Sequence, residues 1–179
     1  MSRITPVTDQ SATPEAAQLF AAIKSKVGAV PNLYRVTANN PAVLGALLGL
    51  GEALGGGAFD PKTREAIALA VAGANSCDYC ASAHTAISKG LKVDQAEINQ
   101  RLAGTSADPR LAAILKFAVA VTDKKGFATD DDLAAARDAG LSEADIIETV
   151  ANVVANIFTN YLNHVAETEI DFPVVKARA

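Results

Sequence analysis

Four dipeptides in which a capping residue precedes a proline divide this sequence into helical segments. They are Thr13–Pro14, Asn40–Pro41, Asp60–Pro61 and Asp108–Pro109. Thr, Asn and Asp favour the position just before a helix, and proline favours the first position inside it, so each pair predicts a helix start. The strict alternation of apolar and polar residues that indicates strands is almost absent. The chain is therefore predicted to be all-α.

Glycines and further capping residues predict where the other helices begin and end. The three glycines at 55–57 end a helix, because each costs roughly 1 kcal/mol relative to alanine inside one. Asp94 and Glu97 have the spacing of a capping box. The predicted helices span 14 to Gly28, 41 to Gly55, 61–75, Cys77 to Lys89 with Gly90 as its stop, Asp94 to about Leu102, 109 to about 125, Thr129 to near Gly140, and Ser142 to about Glu169, with a connector or short helix at 30–38.

Length, charge and hydropathy limit the classes of protein to consider. The 179 residues, half of them hydrophobic, suffice for one domain with a real core. The net charge of -4 and the lack of a basic run argue against a nucleic-acid partner. No window approaches the ~18 apolar residues of a membrane helix, and the first 20 residues lack the apolar core of a signal peptide. We therefore expect a cytoplasmic protein with no membrane partner.

Residues 65–84 contain both cysteines and one of the two histidines. A helix that begins near Cys77 places Cys80 in its first turn, where free N–H groups and the helix dipole stabilise a thiolate. His84 follows four residues later on the same face and could exchange a proton with that thiol. Cys77 is close enough to form a disulfide with Cys80. Glu65, on the preceding helix, could join the group and would need a partner if buried.

Other interpretations of the two cysteines remain open at this point. They could be small buried apolar residues, or Cys77, Cys80 and His84 could bind zinc, although no fourth ligand is evident. A c-type haem is excluded, because the histidine does not directly follow the second cysteine. In a reducing compartment, a CxxC pair is more typical of catalysis or metal binding than of a permanent disulfide.

The last predicted helix carries an unusual row of polar residues. Asn152, Asn156 and Asn160 recur every four residues, and Asn163 with His164 continues the row along one helix face. The flanking positions are apolar. This asparagine row could face solvent, line the pocket of the active site or lie in a subunit interface. Catalysis is not assigned to His164.

The spacing of Glu65, Cys77, Cys80 and His84 resembles the signature of the AhpD-like alkylhydroperoxidase family, which shares its fold with carboxymuconolactone decarboxylases. Further matching segments are PNLYR at 31–35, DPKTRE at 60–65, NYLNH at 160–164 and DFP at 171–173. The C-terminal segments resemble the peroxidase-related subgroup. The resemblance implies a single AhpD-like helical domain over residues 1–179.

The resemblance also implies a mechanism. Cys80 would attack a hydroperoxide and become a sulfenic acid, and Cys77 would condense with it to form a disulfide. Glu65 and His84 would form a proton relay. An external dithiol would reduce the disulfide; in the best-understood member of the family it is a lipoyl group on a partner protein. No dissociable cofactor and no metal are implied, and the family's trimers lead us to expect a homo-oligomer, a trimer or a multiple of it.

Tyr79 marks a departure from the family pattern, because the best-understood member has a histidine directly before its second cysteine. We expect Tyr79 to be a packing aromatic with its hydroxyl at the pocket rim, with a relay role as the alternative. The pocket or relay candidates are Tyr79, Asn160, Asn163 and His164.

The function expected from these residues is that of a thiol-dependent peroxidase or disulfide oxidoreductase. One alternative is a redox-sensing or interaction protein whose CxxC pair toggles without efficient turnover. The other is a lactone decarboxylase-like enzyme on the same fold, although such relatives generally lack the CxxC pair.

Overall fold

The computed structural model describes residues 2–177, which form nine α-helices and no strand. The helices are α1 (Pro14–Val27), α2 (Asn32–Thr37), α3 (Pro41–Gly55), α4 (Pro61–Ala74), α5 (Asp78–Gly90), α6 (Gln95–Leu102), α7 (Pro109–Asp123), α8 (Asp130–Asp138) and α9 (Glu143–Ala166). The all-α prediction is confirmed, and the segment at 30–38 contains the short helix α2. Within residues 2–177, no helix has the length and apolarity that crossing a bilayer requires.

The helix starts predicted from the sequence form with side-chain caps. Thr13, Asn40, Asp60 and Asp108 each accept a hydrogen bond from the backbone N–H three residues later. Each such cap typically contributes about 1 kcal/mol to helix stability. The starts of α8 and α9 are reinforced further, because Thr129 pairs with Asp132, and Ser142 with Asp145, in reciprocal capping boxes.

The capping box predicted at α6 forms only by half. Asp94 caps the helix by accepting from the Glu97 N–H at 2.8 Å. The Glu97 carboxylate does not return the bond, because it accepts instead from Arg101 at 3.0 Å and Ser106 at 2.5 Å. Hydrogen bonds from Arg101 and Ser106 therefore determine the direction of the Glu97 side chain.

Two predicted helix ends are also wrong. The last helix ends at Ala166 rather than at about Glu169, because Glu167 adopts a left-handed conformation with φ 45° and its N–H caps the final turn. Non-glycine residues rarely do this, so the sequence carried no stop signal. Gly90 is the last residue of α5 rather than its stop, and Lys92, with φ 63°, takes the left-handed position.

Helix α4 lies at the centre of the fold and packs against α5, α6, α7 and α9. Residues 66–73 are all buried, as its all-round apolar pattern predicts. Small side chains let the neighbouring helices approach closely. A Cβ atom added at Gly73 would fall far inside van der Waals contact of the Leu102 carbonyl oxygen at the end of α6.

Replacing Gly73 with alanine is expected to destabilise the protein by about 3 kcal/mol, because backbone rather than a flexible side chain occupies the space. Chemical denaturation measures the change. Gly45→Ala, in the interior of α3, is the matched control: its Cβ meets nothing within 4 Å, so it should stabilise by up to about 1 kcal/mol. Equal stability of the Gly73 variant and the wild type would contradict the described contact between α4 and α6.

The segment after α9 runs back across the first turns of α5. The Val175 N–H donates to Ser82 Oγ at 2.9 Å, and the Ala177 N–H donates to Asp78 at 2.9 Å. Lys176 pairs with the same aspartate at 2.7 Å. This C-terminal segment, residues 170–177, packs against the cluster that contains both cysteines and so covers them from one side.

Candidate active site

The two cysteines lie at the start of α5, as the sequence predicts. Cys77 is the N-cap and Cys80 lies in the first turn. Their sulfur atoms are 2.8 Å apart, and the Cys77 thiol donates to Cys80 Sγ. The Cys80 N–H in turn donates to Cys77 Sγ at 3.4 Å. Both thiols are free, and the residues are only 1% and 2% exposed.

Hydrogen bonds to the Cys80 sulfur favour its thiolate. The bond from Cys77 lowers the pKa of Cys80 most, against the effect of burial, and the side chains of Asn163, Asn160 and Thr159 lower it further. Asn163 Nδ2 donates to the sulfur at 3.3 Å. The positive end of the α5 dipole acts in the same direction. The pKa of Cys77 is raised, because the Cys80 sulfur holds its proton and because it is buried.

Asn160 is oriented toward this group by a second asparagine. Asn75, the C-cap of α4, donates from Nδ2 to Asn160 Oδ1 at 2.9 Å. This bond fixes the amide and directs its Nδ2 group away from Asn75. That Nδ2 is fully buried and has no close hydrogen-bond partner within residues 2–177, while the side chain helps to lower the pKa of Cys80. A buried donor without a partner is costly, and a negatively charged sulfur nearby reduces that cost.

Glu65 and His84 form a pair on the neighbouring faces of α4 and α5. Glu65 Oε2 lies 2.8 Å from His84 Nδ1. Burial alone would lower the pKa of His84, but the charge and the hydrogen bond of Glu65 outweigh it, so the pKa is raised above its usual value. Because Nδ1 is occupied by the carboxylate, Nε2 is the ring nitrogen available for proton exchange.

A cavity of about 890 Å³ joins these groups. Cys80, Glu65 and His84 all line it, together with Tyr79 and Arg64, whereas Cys77 does not. Helices α1, α2, α3 and α9 supply the rest of the wall. A ligand in the cavity would therefore lie beside Cys80, rather than Cys77, and beside the glutamate–histidine pair.

Tyr79 is buried, and both hydrogen bonds of its hydroxyl tie segments of the chain together. The hydroxyl accepts from the Leu33 N–H at 3.0 Å and donates to Asp171 Oδ1 at 2.8 Å. The other oxygen of Asp171 accepts from the Asn32 N–H at 2.8 Å. The Tyr79 ring packs edge-on against Phe172. Segments 31–35 and 171–173 thus meet at Tyr79. These contacts favour a packing role for Tyr79 over a role in proton transfer.

The asparagine row on α9 faces the interior of the protein. Asn152, Asn160 and Asn163 are buried and Asn156 is half-buried. Asn152 and Asn156 line the cavity. The structure does not bring His164 to the site: its side chain is exposed and lies outside the cavity lining. It is not a pocket residue, because α9 turns that position toward solvent.

Four residues near the site were not singled out by the sequence. Thr159 acts on the Cys80 sulfur directly, and Asn75 acts on it through Asn160. Asp171 accepts the hydrogen bond of the Tyr79 hydroxyl, and Arg64 lines the cavity. Arg64 and Asp171 lie in the matching segments at 60–65 and 171–173, and Thr159 directly precedes Asn160, but none of the three was assigned a role at the site from the sequence. Across residues 2–177, no group of three or more His, Cys, Asp or Glu side chains is arranged to hold a metal ion.

Replacing Asn163 with alanine is expected to raise the pKa of Cys80, because the thiolate loses a hydrogen bond. Such a bond to a charged group is worth about 1.5–3 kcal/mol, so the thiolate fraction near neutral pH should fall at least about tenfold. Thiolate absorbance as a function of pH measures this. Asn156→Ala is the matched control, since Asn156 donates to the Asn152 carbonyl rather than to sulfur. An unchanged titration in the Asn163 variant would show that the Asn163 amide does not stabilise the Cys80 thiolate.

Comparison with known proteins places this site in a recognised fold. Residues 41–123 match the family model of the Carboxymuconolactone decarboxylase family. No curated protein sequence matches the chain. A peroxidase-related protein from Ralstonia eutropha JMP134 with an alkylhydroperoxidase AhpD core is 24% identical, with a TM-score of 0.85 over 95% of this chain and 92% of that one.

Two further solved structures share the fold. A peroxidase-related protein from Silicibacter sp. TM1040 is 25% identical, with a TM-score of 0.78 over 88% of this chain and 87% of that one. The debrominase Bmp8, in a cysteine-to-alanine variant bound to 2,3,4-tribromopyrrole, is 23% identical, with a TM-score of 0.79 over 94% of this chain and 91% of that one.

The nine helices of residues 2–177 have the AhpD-like fold. The family match over residues 41–123 and the shared fold support placing the chain in the AhpD-like and carboxymuconolactone decarboxylase superfamily. This fold is shared by peroxidase-related proteins and a debrominase, so it carries more than one chemistry, and the site must decide between them.

Proposed function

We propose that this protein is a thiol-dependent peroxidase that reduces organic hydroperoxides at Cys80. One observation carries the proposal: Cys80 lines a large cavity, its sulfur lies 2.8 Å from the Cys77 sulfur, and hydrogen bonds to it favour its thiolate. A low-pKa thiolate that ligands can reach is the nucleophile of such enzymes.

In the first step the Cys80 thiolate attacks the terminal oxygen of the hydroperoxide. The O–O bond breaks, Cys80 becomes a sulfenic acid, and the departing alkoxide needs a proton. Protonated His84 lines the same cavity and supplies it, so the product is an alcohol. Glu65 stabilises the charged imidazole before the transfer, in line with the raised pKa of His84.

In the second step the Cys77 sulfur attacks the sulfenic acid of Cys80 and water leaves. The sulfurs need to approach by less than 1 Å from their separation of 2.8 Å to reach disulfide length, which is about 2 Å. Cys77 loses its proton in this step, and the leaving hydroxide takes up a proton to become water. The protein is left with one disulfide for each hydroperoxide reduced.

An external dithiol then completes the cycle. It attacks the disulfide, returns both cysteines to thiols and is itself oxidised to a disulfide. The overall reaction converts one hydroperoxide and one dithiol to one alcohol, one water and one disulfide. Because Cys80 is reached through the cavity, a slender reductant such as a lipoyl group on a partner protein suits the site. A reducing compartment such as the cytoplasm would keep both thiols ready.

A steady-state assay of hydroperoxide consumption with a dithiol tests the proposal. Turnover that depends on both reagents supports it. A disulfide that forms without turnover, whichever dithiol is supplied, would favour the redox-sensing alternative. Consumption of a lactone acid without any change at the thiols would favour the decarboxylase alternative.

We also propose that the protein is a homo-oligomer that uses the outer face of α9. Apolar side chains are exposed there at a heptad spacing: Ile147, Val154, Phe158, Tyr161 and Val165. Exposed apolar stripes with this period pack against a second helix of the same kind in coiled coils. The mass in solution, measured by light scattering, tests the proposal. A protein that stays monomeric at micromolar concentration would contradict it.

A further inference from the structure

The size of the cavity points beyond hydrogen peroxide as its substrate. A water molecule occupies about 30 Å³ in the liquid, and hydrogen peroxide has only one more oxygen atom. A cavity of about 890 Å³ would therefore remain mostly empty around it. The volume lies in the range of sites that bind whole organic molecules.

Most of the side chains that α1, α2 and α3 contribute to the cavity are apolar. Ile23 of α1, Leu33 of α2, and Leu47, Leu48 and Leu54 of α3 line it. Four glycines of α3 line it as well, and at three of them, positions 45, 49 and 51, a Cβ atom would point into open space. Helix α3 therefore leaves room beside an apolar surface, which suits a hydrocarbon chain.

Arg64, on α4, brings a positive charge to the cavity. Its side chain lines the cavity and is half-buried. One of its guanidinium nitrogens lies 3.0 Å from where a Cβ atom of residue 55 would be. Because residue 55 is a glycine, there is room for the guanidinium at this position. Among the salt bridges within residues 2–177, none involves Arg64.

The other charges of the cavity do not neutralise this arginine. Glu65 is paired with His84 at 2.8 Å. Lys26 and Glu52 also line the cavity, but both are exposed and lie in high dielectric. A half-buried guanidinium without a carboxylate partner is an unmet binding site for a carboxylate, which it can hold through two parallel hydrogen bonds.

We propose that the substrate is the hydroperoxide of an apolar carboxylic acid, with its carboxylate bound by Arg64 and its hydrocarbon chain against α3. This inference rests on the proposed peroxidase function and specifies its substrate class. Arg64 and Glu65 both line the cavity from α4, so a carboxylate held by Arg64 lies in the same cavity as the pair that delivers the proton.

The test compares a long-chain fatty-acid hydroperoxide with its methyl ester, which keeps the chain and the peroxide and loses the charge. The wild type should have a kcat/KM about tenfold or more higher for the acid, since charged hydrogen bonds are the stronger kind. Arg64→Gln should bring the ratio of acid to ester close to one. Lys62→Gln is the control: it removes the same charge from an exposed residue of α4 that lies outside the cavity lining, and the ratio should persist.

A binding measurement separates this inference from the proposed function. Titration calorimetry of the Cys80→Ser protein with octanoate and with methyl octanoate reports recognition without chemistry. Octanoate binding that disappears in the Cys80→Ser, Arg64→Gln double variant supports the carboxylate site, even if hydroperoxides leave the thiols unchanged and the peroxidase function fails. The inference would be overturned, with peroxidase activity intact, by either of two results. One is an equal kcat/KM for acid and ester in the wild type, and the other is octanoate binding that persists when Arg64 is replaced.

Discussion

Replacing Cys80 with serine is expected to abolish hydroperoxide reduction, with a loss in kcat/KM on the order of 10³ or more, because the attacking thiolate is gone. Rapid-mixing measurements of hydroperoxide consumption, with the reduced protein in excess, follow this step directly. The substitution changes one atom in a buried position, so folding should be preserved and circular dichroism should match the wild type.

Cys77→Ser is the matched control, and its expected behaviour differs. The first attack at Cys80 should still occur once, although the thiolate accepts its bond from a hydroxyl instead of a thiol. The sulfenic acid should then persist, because no second thiol lies beside it, and a sulfenic-acid probe should label Cys80. If the two variants behave alike, or if Cys80→Ser retains turnover, the roles of the two cysteines are assigned wrongly.

The second large effect is expected from Glu65→Gln. Loss of the carboxylate removes the charge that keeps His84 protonated, so kcat/KM should fall about 10²-fold, the usual contribution of a positioned acid. Steady-state kinetics with a neutral alkyl hydroperoxide measures this. Glu52→Gln is the control, because it removes a carboxylate from the same cavity without touching His84, and it should change kcat/KM little.

The pH profile gives Glu65 a signature that a loss of structure would not produce. Activity requires the Cys80 thiolate and protonated His84 together. On the acid side it falls as pH drops through the lowered pKa of Cys80, and on the alkaline side it falls as pH rises through the raised pKa of His84. In Glu65→Gln the alkaline limb should move to lower pH, toward or below the usual value of about 6.5. If the alkaline limb does not move, Glu65 does not control the protonation of His84 during the reaction.

Local chemistry explains why the helix starts were predictable from the sequence. The capping bond at Asp60 or Asn40 involves residues three apart, so the sequence contains all of it. The helix ends depend on more. Glu167 takes a left-handed conformation although it is not a glycine, and the chain then leads into the C-terminal segment that packs on α5. Those contacts come from residues far away in the sequence.

The site was predictable to a similar degree. Fixed spacing on α5 gave Cys77, Cys80 and His84 their shared helix, but only the packing of α4 against α5 brings Glu65 to His84 Nδ1. The asparagine row could equally have faced solvent. Its direction depends on how α9 is rotated against α4 and α5, and this places Asn163 on the Cys80 sulfur and His164 outside.

The binding role proposed for Arg64 could not be predicted from the sequence, for a different reason. An arginine at the start of a helix is ordinarily an exposed partner of a nearby carboxylate. Only the position of Gly55 and the absence of an ion pair within the described part of the chain make this one a candidate for substrate recognition. Both facts belong to the tertiary structure.

Mass spectrometry of the fully reduced protein, before and after one equivalent of an organic hydroperoxide, tests the central claim most directly. The proposed mechanism predicts a protein lighter by two hydrogen atoms, with a disulfide between Cys77 and Cys80 and one alcohol released per chain. A protein of unchanged mass, or one that only gains oxygen atoms at Cys80 and never forms the disulfide, would contradict it.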